Sequence, residues 1–130
     1  MKLIFDIETD GLDANVIWCI VCQDIETSKV YKFPPEKIKE GLALLESASC
    51  LIGHNIIGFD IPVLEKLTEV DLKDIPVIDS WLRVERVEKL QSIREAQGVM
   101  YYYILQTTCA KLSTIVILYH MELTPTLSER

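Results

Sequence analysis

Four strand-forming residues, Lys2-Leu3-Ile4-Phe5, run straight into Asp6-Ile7-Glu8-Thr9-Asp10-Gly11-Leu12. A buried strand that ends on two acids and a glycine turn admits few folds, because other elements must cover its faces while something relieves the acids. Side chains alternate along a strand, so Asp6 and Glu8 leave from the same face with Cα atoms roughly 6.5 Å apart. Two carboxylates on one face of a buried strand repel each other and lose hydration unless a proton or a cation stands between them. A divalent metal is the simplest remedy. The ordinary alternative is a pair of strand-end acids left in water, and the pair alone does not separate the two readings.

The remaining chain supplies neighbours for this strand. Gly11 and Asp13-Ala14-Asn15 make a turn, and Val16 to Cys22 reads as a second strand. Lys29-Val30-Tyr31-Lys32-Phe33 alternates with period two, as a third strand half exposed to water. Short links between three strands predict an antiparallel meander. Pro34-Pro35 ends the third strand, and Ile38, Leu42, Leu45 and Ala48 then recur at helical spacing, one stripe of a surface helix. Cys50-Leu51-Ile52-Gly53 has the continuous apolar character of a buried strand parallel to the first. The loop His54-Asn55-Ile56-Ile57-Gly58-Phe59-Asp60 leads into a short helix over Ile61 to Leu67. Asp60 reads either as an ordinary helix N-cap or as a third metal-associated acid delivered to the sheet edge. Pro76-Val77-Ile78-Asp79 is a last short strand, Ser80 a candidate cap, and Trp81, Val84, Val87, Leu90 and Ile93 predict a helix to about Glu95. Asp79 reads as a turn and cap residue, with a fourth site acid as the alternative. From Gln97 the character changes: Met100 to Leu105 and Ser113 to Tyr119 are β-prone. This divides the chain into a core over 1–95 and a C-terminal segment over 96–130.

Composition narrows the function classes. With 130 residues the chain suffices for one domain with its own core, and nearly half of it is apolar. Met1-Lys2 leads directly into the first strand, and the longest later apolar run is far below the ~20 residues that span a bilayer, so an intracellular protein with no membrane partner is expected. A formal charge of −7 argues against grip on nucleic acid by a general basic field. It leaves a nuclease open, since metal ions neutralise a carboxylate cluster locally. Cys19 and Cys22 form a C-x-x-C, but residues three apart on a strand point to opposite faces, so buried free thiols are expected in place of zinc.

Taken together, Asp6-Ile7-Glu8-Thr9-Asp10-Gly11-Leu12 and His54-Asn55-Ile56-Ile57-Gly58-Phe59-Asp60 resemble the first two motifs of the DEDD, or DnaQ-like, 3′–5′ exonucleases. The wording is most similar to the N-terminal proofreading domain of phage-type A-family DNA polymerases, and Ile78-Asp79-Ser80 resembles the segment that follows in that group. The resemblance covers roughly Met1 to Arg86. It implies an RNase H-like α/β fold, a mixed sheet with a three-stranded antiparallel meander and parallel strands, flanked by helices. It implies two Mg²⁺ or Mn²⁺ ions, with Asp6 bridging both, Glu8 binding one and orienting the attacking water, and Asp60 holding the second. Thr9 and Leu12 would contact the terminal nucleotide, and Asn55 and Phe59 would lie beside it or support the loop. The substrate implied is a single-stranded DNA 3′ end, in a protein that also carries a polymerase domain, in a bacterial or phage-infected cytoplasm.

The chain departs from that family at its C-terminal end. The family completes its site with a Tyr or His a few residues before a final Asp, and here Asp79 is the last aspartate, while His120 is followed by Met121 and Glu122. A fragment or a frame-shifted end is the expectation, with the fold incomplete there. Two rivals stand beside the DNA exonuclease: an RNA-trimming enzyme of the same fold, and an inactive RNase H-like module that binds or scaffolds.

Overall fold

A computed structural model describes residues 1–81. The helix expected to reach Glu95, the β-prone runs after Met100, the division at residue 95 and the C-terminal end all lie outside the described residues.

Strand β1 spans Lys2–Thr9, β2 Ile17–Asp24, β3 Val30–Phe33, β4 Cys50–Gly53 and β5 Val77–Asp79; helix α1 spans Ile38–Glu46 and α2 Asp60–Leu67. The strands form a single sheet in the order β3-β2-β1-β4-β5. β1, β2 and β3 are the expected antiparallel meander, and β4 and β5 add to it in parallel. Pro35–Lys37 makes a short 3₁₀ turn before α1, with Pro at its first position, where the missing N–H costs nothing.

One difference matters for the site. The apolar run at the start of the chain predicts a strand ending near Phe5, yet β1 continues to Thr9. The acids therefore sit inside the strand. Antiparallel pairing with β2 carries it onward, with Asp6 opposite Val21 and Glu8 opposite Cys19. The register shifts after Glu8, so that Thr9 pairs with Ile17 and Trp18 is the extra residue, a bulge that closes the ladder beside the acids.

Alternation then sorts the core into two layers. Leu3, Phe5 and Ile7 of β1, Ile20 and Cys22 of β2 and Leu51 of β4 face one side, where Leu45 of α1 and Val63 and Leu64 of α2 cover them. Ile4, Cys19, Val21, Cys50 and Ile52 face the other side, with Ile25, Val30 and Ile78 packed against them. The two cysteines of the C-x-x-C fall in different layers, and both are free and buried. Burial pushes the Cys22 thiol up to about 12, as for an inert core residue. Alternation places Asp6 and Glu8 on the Ile4 side, away from the two helices. Among the described residues no helix is long and apolar enough to cross a membrane.

Candidate active site

The site forms where β4 stops pairing with β1. The two strands are matched through Ile4 and Ile52, and β4 ends one residue later at Gly53. Three residues further along β1, the Ile7 amide has no strand partner, and it donates instead to Asp60 Oδ1 at 3.1 Å, across 53 residues of chain. Helix α2 packs on the first layer while its N-terminal residue reaches round the end of β4 to the acid pair. The Asp60 side chain is therefore no helix N-cap: the cap position is Phe59, without a side-chain bond, and the Asp60 carboxylate is committed to β1.

That placement is electrostatically costly. Asp60 is only 3% exposed. Burial first, and the neighbouring Asp6 carboxylate second, push its pKa up to about 8, against the opposing pull of the Ile7 amide. The two acids share a proton-sized deficit of positive charge. Glu8 leaves the same strand face as Asp6, and both charges, after burial, raise the thiol of Cys19 to about 11, so Cys19 floors this patch from β2.

The loop between β4 and α2 is shaped to deliver Asp60. Asn55 takes the left-handed conformation with φ 58°, which asparagine tolerates better than most residues. Its carbonyl accepts the Phe59 amide, and the Ile56 carbonyl accepts that of Ile61. A side chain on Gly58 would collide with the Asn55 side chain, and one on Gly53 with Ile56 and the Phe5 carbonyl, so both glycines permit close packing. Ile56 is buried, and Phe59 packs on the helix-covered core.

A second buried acid anchors this loop from β5. Asp79, 5% exposed, accepts the Asn55 amide at 2.8 Å and the Ile57 amide at 2.9 Å on its two oxygens. It also accepts the Trp81 amide at 2.9 Å, the bond of an N-cap. Asp79 is thus a cap and a loop anchor, with both of its oxygens engaged by backbone amides. Ser80 does not cap; its hydroxyl meets His54 Nδ1 at 2.8 Å. His54 also stands edge-on to Trp81, ring centroids 5.5 Å apart.

The β1–β2 loop forms the opposite rim. Asp10 accepts the Asn15 and Val16 amides, which hold its carboxyl below the usual range. Lys66 of α2 bridges to Asp13 and the Ala14 carbonyl, tying the rim to the helix behind Asp60. Thr9 closes its own turn with Gly11, and Leu12 stands out, 93% exposed.

The structure therefore brings Asp6 and Asp60 together, keeps Glu8 on the same strand face, and sets Thr9 and Leu12 on one rim with Asn55 and Phe59 in the loop opposite. Asn55 and Phe59 act in that loop as supports. Sequence reading found the cap role of Asp79 but missed its bonds to the Asn55 and Ile57 amides and the contact of Ser80 with His54; the parallel register of β4 and β5 was the available signal. All-oxygen carboxylate donors, with Asp60 buried against the half-buried Asp6, suit a hard divalent cation. Among the described residues no group of three or more His, Cys, Asp or Glu side chains is arranged to hold a metal ion.

A mixed five-stranded sheet with this order, carrying acids on its central strand and at the start of the helix after the fourth, is an RNase H-like α/β fold. The family model of the RNase H superfamily matches residues 3–115, and the chain belongs to that superfamily. Its members are mostly nucleases that use divalent metal ions, which supports a nucleic-acid-cleaving role in general. No curated protein matches the chain.

Proposed function

We propose that this chain is the metal-dependent 3′–5′ exonuclease domain of a proofreading polymerase, hydrolysing phosphodiester bonds at single-stranded DNA 3′ ends and releasing nucleoside 5′-monophosphates. The observation that carries the reading is the pairing of Asp60 with Asp6. A fold with no use for charge has no reason to bury a carboxylate against the half-buried Asp6 with a single amide donating to it. Asp6, Asp60 and Glu8 are the residues that would hold Mg²⁺ or Mn²⁺, and the bound ions would supply an activated water and stabilise the departing 3′ oxygen. The Ile7 amide fixes the Asp60 carboxylate of α2 against β1 and so sets its distance from Asp6 and Glu8. Leu12 offers an apolar surface to the terminal base, and Thr9 keeps the turn beneath it closed.

The inactive binding module has support of its own, since the acids of the described residues make no group of three and the third family motif is absent from the sequence. End-labelled single-stranded DNA and RNA, incubated with the full chain and Mn²⁺, decide the matter. The expected result is stepwise shortening of the DNA from its 3′ end with nucleoside 5′-monophosphate as product, lost in Asp6→Ala. Intact DNA with a folded protein that binds no metal would reject the enzyme reading, and faster loss of RNA would move the substrate to that polymer.

A further inference from the structure

The face of the sheet that carries Asp6 and Glu8 is buried more deeply than the described elements account for. Ile4 is 1% exposed, and Cys19, Val21 and Ile52 are 0% exposed. Leu45 of α1 and Val63 and Leu64 of α2 cover the opposite layer. On the Ile4 layer the described residues packed against these side chains are Ile25, Val30 and Ile78. Val30 belongs to β3 and Ile78 to β5, the two edges of the sheet, and Ile25 follows the end of β2. Side chains at the margins wall a sheet face without roofing its centre, and a central isoleucine leaves water only when another layer lies over it.

The burial has the footprint of one helix. The fully buried side chains lie on β2, β1 and β4. Three strands at about 4.8 Å spacing span about 10 Å, and a helix with its side chains is about 10–12 Å across. Val30 and Ile78, on the flanking strands, stay partly exposed, as they would beside a roof of that width.

The chain leaves the sheet at a place from which it can supply this roof. Asp79 caps Trp81, and Ser80 and Trp81 are already helical at the end of β5. Val84, Val87 and Leu90 then recur at the spacing of an apolar stripe. A helix over 82–95 would run about 21 Å, and the stretch of β1 from Lys2 to Glu8 runs about 20 Å. The match to the RNase H superfamily also continues past the described residues, to 115.

We propose that the segment over 82–95 roofs the Ile4 face of the sheet, laying Val84, Val87 and Leu90 over Ile4, Val21 and Ile52, and that its flank walls the acid site. Cys19 marks how close the roof comes, because it is fully buried and stands opposite Glu8 in the β1–β2 ladder. Asp6 and Glu8 then lie at the open end of a roofed face. The segment is part of the site's wall although it brings no aspartate to it. This inference concerns the architecture around the acids and does not rest on the proposed activity.

The buried thiols report on it in the full chain. Cys19 and Cys50 belong to the Ile4 layer and Cys22 to the helix-covered layer. Labelling by N-ethylmaleimide, resolved by peptide mass spectrometry and expressed relative to the same thiol in urea, therefore reads the two faces separately. In the wild type both faces should be protected. Val87→Asp puts a charge into the roof, and it should speed labelling of Cys19 roughly tenfold or more while Cys22 keeps its protection. If that variant unfolds and all three thiols label together, Leu90→Ala decides. A cavity in the roof opens it before the rest of the domain, so Cys19 should still label faster than Cys22. Fast labelling of Cys19 in the wild type, full protection of Cys19 in a folded Val87→Asp, or equal rates for Cys19 and Cys22 in Leu90→Ala each overturns the proposal.

Discussion

Asp60, the first residue of α2, and Asp79, the last of β5, are both buried aspartates beside the loop between β4 and α2, yet they are opposites. Asp79 receives three backbone amides. Asp60 receives one, lies against Asp6, and is pushed toward its protonated form. The difference teaches how to tell a structural acid from a functional one. A carboxylate met by several amides holds the fold, while burial with few donors and a like charge alongside is the environment in which functional acids are found. Burial alone does not separate them.

The sharpest break of this comparison is Asp60→Asn, which keeps the shape and removes the charge. Cleavage of single-stranded DNA with Mn²⁺ is expected to fall on the order of 100-fold or more, since even outer partners of metal ligands cost 10–100-fold. Folding stability near neutral pH should hold or rise, because the variant no longer has to take up a proton on folding. A stable variant with undiminished cleavage would remove Asp60 from the site.

Asp79→Ala should do the reverse. It strands the amides of Asn55, Ile57 and Trp81 around a small cavity, and urea unfolding should show a loss of about 2–4 kcal/mol. Asp79→Asn, whose amide oxygen can still accept, should cost about 1–2 kcal/mol. If Asp79→Ala unfolds at the wild-type urea concentration, the anchor role is wrong.

The pH dependence separates the two acids a third way. Asp60 has a folded pKa raised to about 8 from an ordinary 3.8, so between these values the folded state holds a proton that the unfolded chain has released. More protons on the folded side mean that stability falls as pH rises through that window and levels off above it. Urea midpoints from pH 5 to 8 should show this downward trend without divalent ions, and Asp60→Asn should flatten it. Addition of Mg²⁺ or Mn²⁺ should recover stability at the upper end, where the carboxylate is free to bind. A rising profile would mean that other groups dominate the linkage.

How much of this was legible beforehand depends on the kind of information each feature carries. The meander, the parallel β4, α1 and α2 follow from hydrophobic period and turn chemistry, which are local, and all are present near their expected positions. The end of β1 was misjudged because Asp6 and Glu8 look like breakers; pairing with β2 overrides their propensity, as long-range context does in strands generally. For Asp60 the cap and site readings were equally local, and only the Ile7 amide, 53 residues away, rules out the cap. The role of Asp79 was half legible: the N-cap bond to Trp81 is local, whereas the bonds to Asn55 and Ile57 depend on the β4–β5 register. The Ser80–His54 pair depends on that same register.

The smallest effect comes from the rim opposite this loop, where no acid is buried. Leu12 is almost wholly exposed, so it contributes little to the core, and Leu12→Ser should change stability by less than about 0.5 kcal/mol. Leu12 stands out on a turn closed by Thr9 and tied back through Asp10, so under the proposed function it is open to a terminal base. Base contacts of aromatic side chains on single strands are worth about 1–3 kcal/mol each, and an aliphatic one should give less. Leu12→Ser should therefore raise KM for single-stranded DNA a few-fold while the thermal midpoint and the pH trend of Asp60 stay as in the wild type. A lower melting temperature would place Leu12 in the structural class with Asp79, and an unchanged KM in a fully folded variant would leave it outside both.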